Sequence, residues 1–366
     1  MQDAPRSALC ALGCRFKTHK NVFRRKRRWC RVAIAAIDSK KCIKIARHIA
    51  ECGGVPPDRE DPMPCSFPDA VKHNAWFTIV GINQQTTPVV GLALKGTING
   101  EKRYGWDYLL QKAIAVSNEN PGMFTAEWLT AVTADSLRAL YYDVEEGDTL
   151  NQAEIRAMLL NDMGEFLKRN AWESVHEAYL ASGGYLVRSD GKGILQALTG
   201  AKAYQDPVQK KAFYFLAIMK NEGLWQYKDI LNLGPPVNYH EQRLHLRLGT
   251  VKIIDAEFER KIRMRENITD QEDIEIRFAV RRAIEFIAQL LDATPSSLHY
   301  YLWNYGRNDC SRDKPHCESC GKGCKLPERY RILGIDRCVF ASVCQSARLS
   351  VKNMPIEPRL DTTPWQ

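Results

Sequence analysis

The chain has 366 residues, 45% apolar and 26% charged, which are ordinary globular proportions and exclude a wholly disordered chain. The net charge of +9 is uneven. Residues 1–48 hold 14 basic residues against Asp3 and Asp38, and the remainder carries 38 basic and 41 acidic residues, which excludes a uniformly basic nucleic-acid-coating surface.

Residues 1–52 read as a basic, cysteine-containing arm centred on RFKTHKNVFRRKRRWC. The run ALCALG is too short for a secretory segment, and no apolar run approaches membrane-spanning length, so an intracellular protein without a membrane partner is expected. Twelve cysteines without an export signal point to metal binding or chemistry more than to disulfides. GGVPPDREDPMPCSFP (53–68) reads as a linker or long loop. A helical body follows over 69–300. Within it, 76–80 leans to helix and 89–94 is ambiguous. The stretch 151–170 places Ile155, Met158, Leu159, Met163, Phe166 and Leu167 at helical spacing. Asp206–Pro207 should open the next helix, which carries Phe213, Leu216, Ile218 and Met219. Residues 273–291 form the clearest amphipathic helix, with Ile276, Val280, Ala283, Ile284, Ile287 and Leu291 on one face. The expected fold is all-α: two helical lobes, a four-cysteine loop at 301–330 and a C-terminal extension at 331–366.

The strongest chemical signal is NDCSRDKPHCESCGKGC, which sets Cys310, Cys317, Cys320 and Cys324 at C-x6-C-x2-C-x3-C. Four thiolates this close can surround one metal centre, either an iron–sulfur cluster or a structural zinc. With the preceding LWNYGRNDC, the loop resembles the [4Fe–4S] loop of endonuclease III-like, helix–hairpin–helix DNA glycosylases. Their last gap is five residues where this chain has three. The resemblance implies a structural [4Fe–4S] cluster, with Arg312 and Lys314 on a loop that contacts DNA phosphates.

PPVNYHEQRLHLRLG resembles the segment after the hairpin in that superfamily, and Val237, His240 and Arg243 fall into place. Asn238 stands where the family has an aspartate. An amide cannot act as a carboxylate base, but it can cap a helix or hold a water. Glu241 and Asp255 are the nearest acidic alternatives. DPVQKKAFYFLAIM resembles the lysine-bearing helix of archaeal 8-oxoguanine glycosylases, with Lys211 at the catalytic position and Lys210 as the competing register. A desolvated lysine amine can attack a sugar C1′ and form a Schiff base, so an abasic-site lyase step is compatible with this reading. The usual hairpin pattern is missing, and only Gly200 could serve in its place.

Residues from about 128 to 291 also resemble queuosine salvage N-glycosylases, through VTADSLRALY, QKKAF, NYHEQRLHLRLG and DIEIRFAVRRAIEFI. That family hydrolyses the N-glycosidic bond of a modified nucleotide and has no four-cysteine tail. INQQTTPVV (82–90) is similar to a first-lobe helix that wedges a Gln into DNA, with Gln85 aligned and Gln84 beside it. Trp76, Phe77 and Tyr239 are candidates to stack on an extruded base. Cys10, Cys14, Cys30, Cys42, Cys52 and Cys65, with His19, could form a further zinc site, for instance from Cys10, Cys14, Cys30 and one more, and Cys338 and Cys344 read as structural. The resemblances imply a monomeric N-glycosylase that acts on DNA carrying a modified base, for which hypermodified viral DNA is one source. The alternatives are a free-nucleotide N-glycosidase and a non-catalytic DNA-binding relative.

Overall fold

Apolar residues at helical spacing sort into two separate clusters. The computed structural model describes residues 33–56, 67, 69–88, 91–120, 122–319, 325–332, 335–361 and 363–365. The FRRKRRWC run, Cys10, Cys14, His19, Cys30, Cys65, Cys320 and Cys324 lie outside the described residues.

The first core is built by residues from Phe67 to Leu233. It contains α2 (Asp69–Gly81), α3 (Trp106–Glu119), α4 (Ala126–Ala131), α5 (Ala134–Tyr141), α6 (Ala153–Arg169), α7 (Val175–Ser182), α8 (Ile194–Leu198) and α9 (Lys210–Asn221). The second core joins α1 (Ser39–Glu51) to α10 (Tyr239–Leu248), α11 (Ala256–Met264), α12 (Asp270–Leu290) and α13 (Pro295–Asn308). The change of core falls at Gly234–Pro235–Pro236, which cannot continue a helix. The described chain is thus mostly helical.

Two small antiparallel sheets add to the expected all-α pattern. One pairs β1 (Ala35–Ile37) with β4 (Val251–Ile253). The other is the hairpin of β2 (Lys95–Ile98) and β3 (Glu101–Tyr104), turned by Asn99 and Gly100, both at positive φ. Such a two-residue turn matches the twist of the strands it joins.

The basic arm ends earlier than expected. Asp38 caps α1 by accepting from Lys41 N–H at 3.1 Å, and Cys42, Ile45, Ala46 and Ile49 are buried in the second core. The helix expected to open at Asp206–Pro207 starts at Lys210. Asp206 still accepts from the Lys210 and Val208 amides, but its carboxylate is bidentate with Arg277 at 2.7 and 3.0 Å. Arg277 also donates to Asp273 at 2.8 Å, so one guanidinium bridges two buried carboxyls, and burial pushes the Asp273 carboxyl up. Gly200 lies in the turn after α8, where a Cβ would sit 2.7 Å from the Phe166 ring. Among the described residues no helix is long and apolar enough to cross a membrane.

Candidate active site

A cavity of about 670 Å³ is lined by residues that belong to both cores. That size falls within the roughly 300–1,000 Å³ common for small-molecule sites. Trp106, Tyr214, Tyr239, Tyr300 and Trp303 supply aromatic walls, and Lys102, Arg103, Arg307, Lys325 and Arg329 supply cations. Flat apolar faces edged by donors suit a nucleobase with an attached phosphate.

Two neighbouring lysines at the start of α9 have different fates. Lys211 is fully buried, and its Nζ donates to Gly81 O at 2.6 Å, Gln84 Oε1 at 3.0 Å and Pro364 O at 2.5 Å. Burial pushes its pKa well below the usual lysine range, but its amine faces these three protein oxygens and no open space. Lys211 does not line the cavity. Lys210 does, with Nζ donating to Asn83 O at 3.1 Å. Burial, helped by the Arg277 cation, lowers its pKa to about 8. The nucleophile candidate is therefore Lys210, because only that register turns an amine toward open space.

Asn238 caps α10. Its Oδ1 accepts from His240 N–H at 2.8 Å, and Glu241 Oε2 accepts from Asn238 N–H at 3.1 Å, forming a capping box. The amide is a cap on the cavity wall, and the helix ends at Gly249 in the left-handed region. Tyr239 lines the cavity with its hydroxyl 2.5 Å from Thr87 Oγ1. His240 lies between Tyr239 and Trp303.

Two histidines on the cavity wall are held in complementary states. Arg243 donates to His240 Nδ1 at 2.9 Å. A guanidinium cannot accept, so Nδ1 must be the bare nitrogen and Nε2 carries the proton. Burial first, then the Arg243, Arg307 and Arg312 cations, push the His240 pKa well below its usual range. His240 is a neutral donor. His299 Nδ1 lies 2.5 Å from Glu241 Oε1. An ionised Glu241 requires Nδ1–H there, and on the neutral ring, which lines the cavity, Nε2 is then an acceptor. Glu241 is wholly buried and reaches the cavity only through His299.

Other expected contacts are redirected. Gln84 is fully buried against Lys211, so it cannot wedge into DNA. Gln85 lines the cavity, though it sits in a loop after α2 and not on a helix, at positive φ, with Nε2 donating to Leu360 O at 2.8 Å. Arg156 fixes that loop by donating to the carbonyls of Ile82 and, at 2.6 Å, Gln84. Arg243 is buried and donates to Glu357, Gly306 O and Cys310 O, so it braces the interior instead of touching DNA. Arg312 is paired with Glu357 and lies over the Tyr239 ring. It shares that one carboxylate with Arg243, whereas Lys314 is exposed. Trp76 and Phe77 are core residues, with Phe77 stacked on Tyr204 at 5.0 Å. Asp255 caps α11 by accepting from Phe258 N–H.

Sequence reasoning missed His299, Trp303 and Arg307. They recur every fourth residue on α13 and all line the cavity. A His-aromatic-cation stripe on a helix was the available signal. Gly306 lets α13 approach α10 closely, since a Cβ there would lie 2.9 Å from His240 O.

The cysteine tail gives a mixed picture. Cys310 and Cys317 are free and line a small cavity together with Cys338 and Cys344. Among the described residues no three His, Cys, Asp or Glu side chains converge on a single ion. Neither any protein-family model nor any curated protein matches this chain.

Proposed function

We propose that this chain is an N-glycosylase that releases a modified base from DNA, with the base held in the large cavity between the two cores. The observation that carries the reading is the joint presence there of a desolvated lysine, a neutral histidine donor and a carboxylate-backed histidine acceptor. These are the parts that cleavage of a C1′–N bond requires.

In this mechanism the aromatic walls hold the extruded base, and His240 Nε2–H donates to a heteroatom of the departing base. The Lys210 lone pair forms the bond to C1′ as the C1′–N bond breaks and its electron pair leaves with the base. The new ammonium sheds a proton to His299, whose resulting charge is balanced by Glu241 and which returns the proton to O4′ in the next step, and the departing base takes up a proton from water. Ring opening then gives a Schiff base, which water hydrolyses to an abasic site.

The cavity is also wide enough, and cationic enough at its wall, for a whole free nucleotide, the competing substrate. The test is a base-release screen by mass spectrometry on single- and double-stranded DNA carrying modified bases, with the matching free nucleotides in parallel. Borohydride should trap a covalent protein–DNA adduct. Release from nucleotides alone would replace the DNA reading, and no release from either class would overturn the N-glycosylase reading.

A further inference from the structure

Tyr239 and His240 form one wall of the cavity, and each side chain rests on a guanidinium that does not itself line the cavity. Arg243 donates to His240 Nδ1 at 2.9 Å. The Arg312 guanidinium lies over the Tyr239 ring, 5.3 Å from its centre. Arg312 also donates to Thr87 O at 3.4 Å, and Thr87 Oγ1 is the partner of the Tyr239 hydroxyl. Arg312 thus touches both the face of the ring and the residue that holds its far end.

The two guanidiniums meet on one oxygen. Glu357 Oε1 accepts from Arg243 at 2.8 Å and from Arg312 Nε. Glu357 is buried and stands 114 residues after Arg243. Burial opposes its charge, but the Arg243 and Arg312 cations hold its carboxyl below the usual range, so it is ionised. The segment that carries it is fixed at four backbone carbonyls. Pro355 O accepts from Arg247 at 2.8 Å, Arg359 O from the Ile268 amide at 2.9 Å, Leu360 O from Gln85 at 2.8 Å and Asp361 O from Gln152 at 3.2 Å.

We infer that Glu357 is a positioning residue of this site: through Arg312 it holds the Tyr239 ring in place for the ligand that stacks on it. Two guanidiniums this close repel each other, and the shared carboxylate replaces that repulsion with attraction to both. Without it the two cations respond unequally. Buried Arg243 keeps Gly306 O at 2.8 Å and Cys310 O at 2.6 Å. Among the described residues, half-buried Arg312 keeps only the long bond to Thr87 O beside its ring contact, and water draws it off the ring. The inference rests on the reading of this wall as the base-stacking surface, but the state of Tyr239 can be followed without any substrate.

The test uses the full chain with 3-fluorotyrosine placed at position 239, as wild type, Glu357→Gln, Arg312→Met and the double variant. Fluorine nuclear magnetic resonance follows the ring, and steady-state base release gives KM and kcat. Glu357→Gln and Arg312→Met should each move the fluorine resonance. Each should raise KM by about 3–10-fold, the size of a lost cation–ring contact, with kcat nearly unchanged. The double variant should go no further than Arg312→Met, since both changes act through one guanidinium. A resonance that stays put in Glu357→Gln would overturn the inference. So would effects that add in the double variant, or a loss of thermal stability with KM intact, which is what a merely structural carboxylate predicts. If no base is released from any substrate, the base-release reading fails and the resonance alone decides about Glu357. If Glu357→Gln does not fold, as judged by circular dichroism, Arg312→Met decides, and an unmoved resonance there overturns the inference.

Discussion

At the residue scale, the decisive contrast is between Lys210 and Lys211. Adjacent residues on a helix point about 100° apart, so one register meets carbonyl oxygens and the other meets the cavity. Lys210→Met should abolish borohydride trapping and base release while the protein stays folded. Lys211→Met removes the donor from the buried Gly81, Gln84 and Pro364 acceptors, at a cost of about 1–3 kcal/mol, and also removes a buried amine whose charge burial disfavours, so the net loss of stability should be smaller than that cost. Trapping that survives Lys210→Met but not a folded Lys211→Met would reverse the assignment. Lys210 also sets a pH dependence. Its folded pKa of about 8 lies below the ordinary value of 10.5, so the folded protein disfavours its charged form. That penalty is fully present below pH 8 and disappears as pH rises from about 8 toward 10.5. Lys210→Met should therefore be more stable than wild type at pH 7, by about 2–3 kcal/mol, with the gain shrinking across that window in urea melts. Base release by the wild type should rise through pH 8 for the same reason, since only the neutral amine attacks. The sequence reduced the choice to two lysines but could not separate them, because their difference lies in acceptors from the 81–84 segment and the C-terminal tail.

At the element scale, α10 combines stability and chemistry in one motif. Glu241 accepts from the Asn238 backbone with one oxygen and faces His299 with the other. Asn238→Ala should cost about 1 kcal/mol of stability through the lost cap, whereas Asn238→Asp keeps an acceptor and should cost little. Thermal melts of the two variants check this, and equal losses would remove the cap as the reason for the amide. Glu241→Gln retains an acceptor for the cap but no longer balances charge on His299. It should reduce turnover far more than it reduces stability, and an unchanged rate would exclude the Glu241–His299 pair from catalysis. Periodicity revealed helices such as α6 and α12 because their apolar faces repeat over several turns. It missed α1, where Cys42, Ile45, Ala46 and Ile49 follow helical spacing among basic neighbours that suggested an arm. It also passed over the Asn99–Gly100 turn, a local hairpin signal in a chain read as all-helical. The cysteines show the limit of counting along the chain. Between Cys317 and Cys338 stand 20 residues, and only folding brings the two to one small cavity.

At the scale of the whole molecule, the boundary of the basic segment changes the electrostatics. Ala33–Gln366 form one compact unit. Residues 1–32 carry 10 basic residues and one acid, while residues 33–366 carry 42 of each. The entire net charge of +9 thus belongs to the segment before β1, and the body with the cavity is neutral. A neutral body gives little long-range attraction to a polyanion, so non-specific DNA affinity must come mainly from the segment. Removing residues 1–30 should weaken DNA binding and flatten its dependence on salt, by about 0.9 in the logarithmic slope for each phosphate that is no longer neutralised. Base release at saturating substrate should change little, because Lys210, His240 and His299 all belong to the body. Fluorescence anisotropy over a salt series, paired with single-turnover base release, separates the two effects. An unchanged salt slope after the deletion would mean that local charge on the body, such as Lys102, Arg103 and exposed Lys314, grips the phosphates instead.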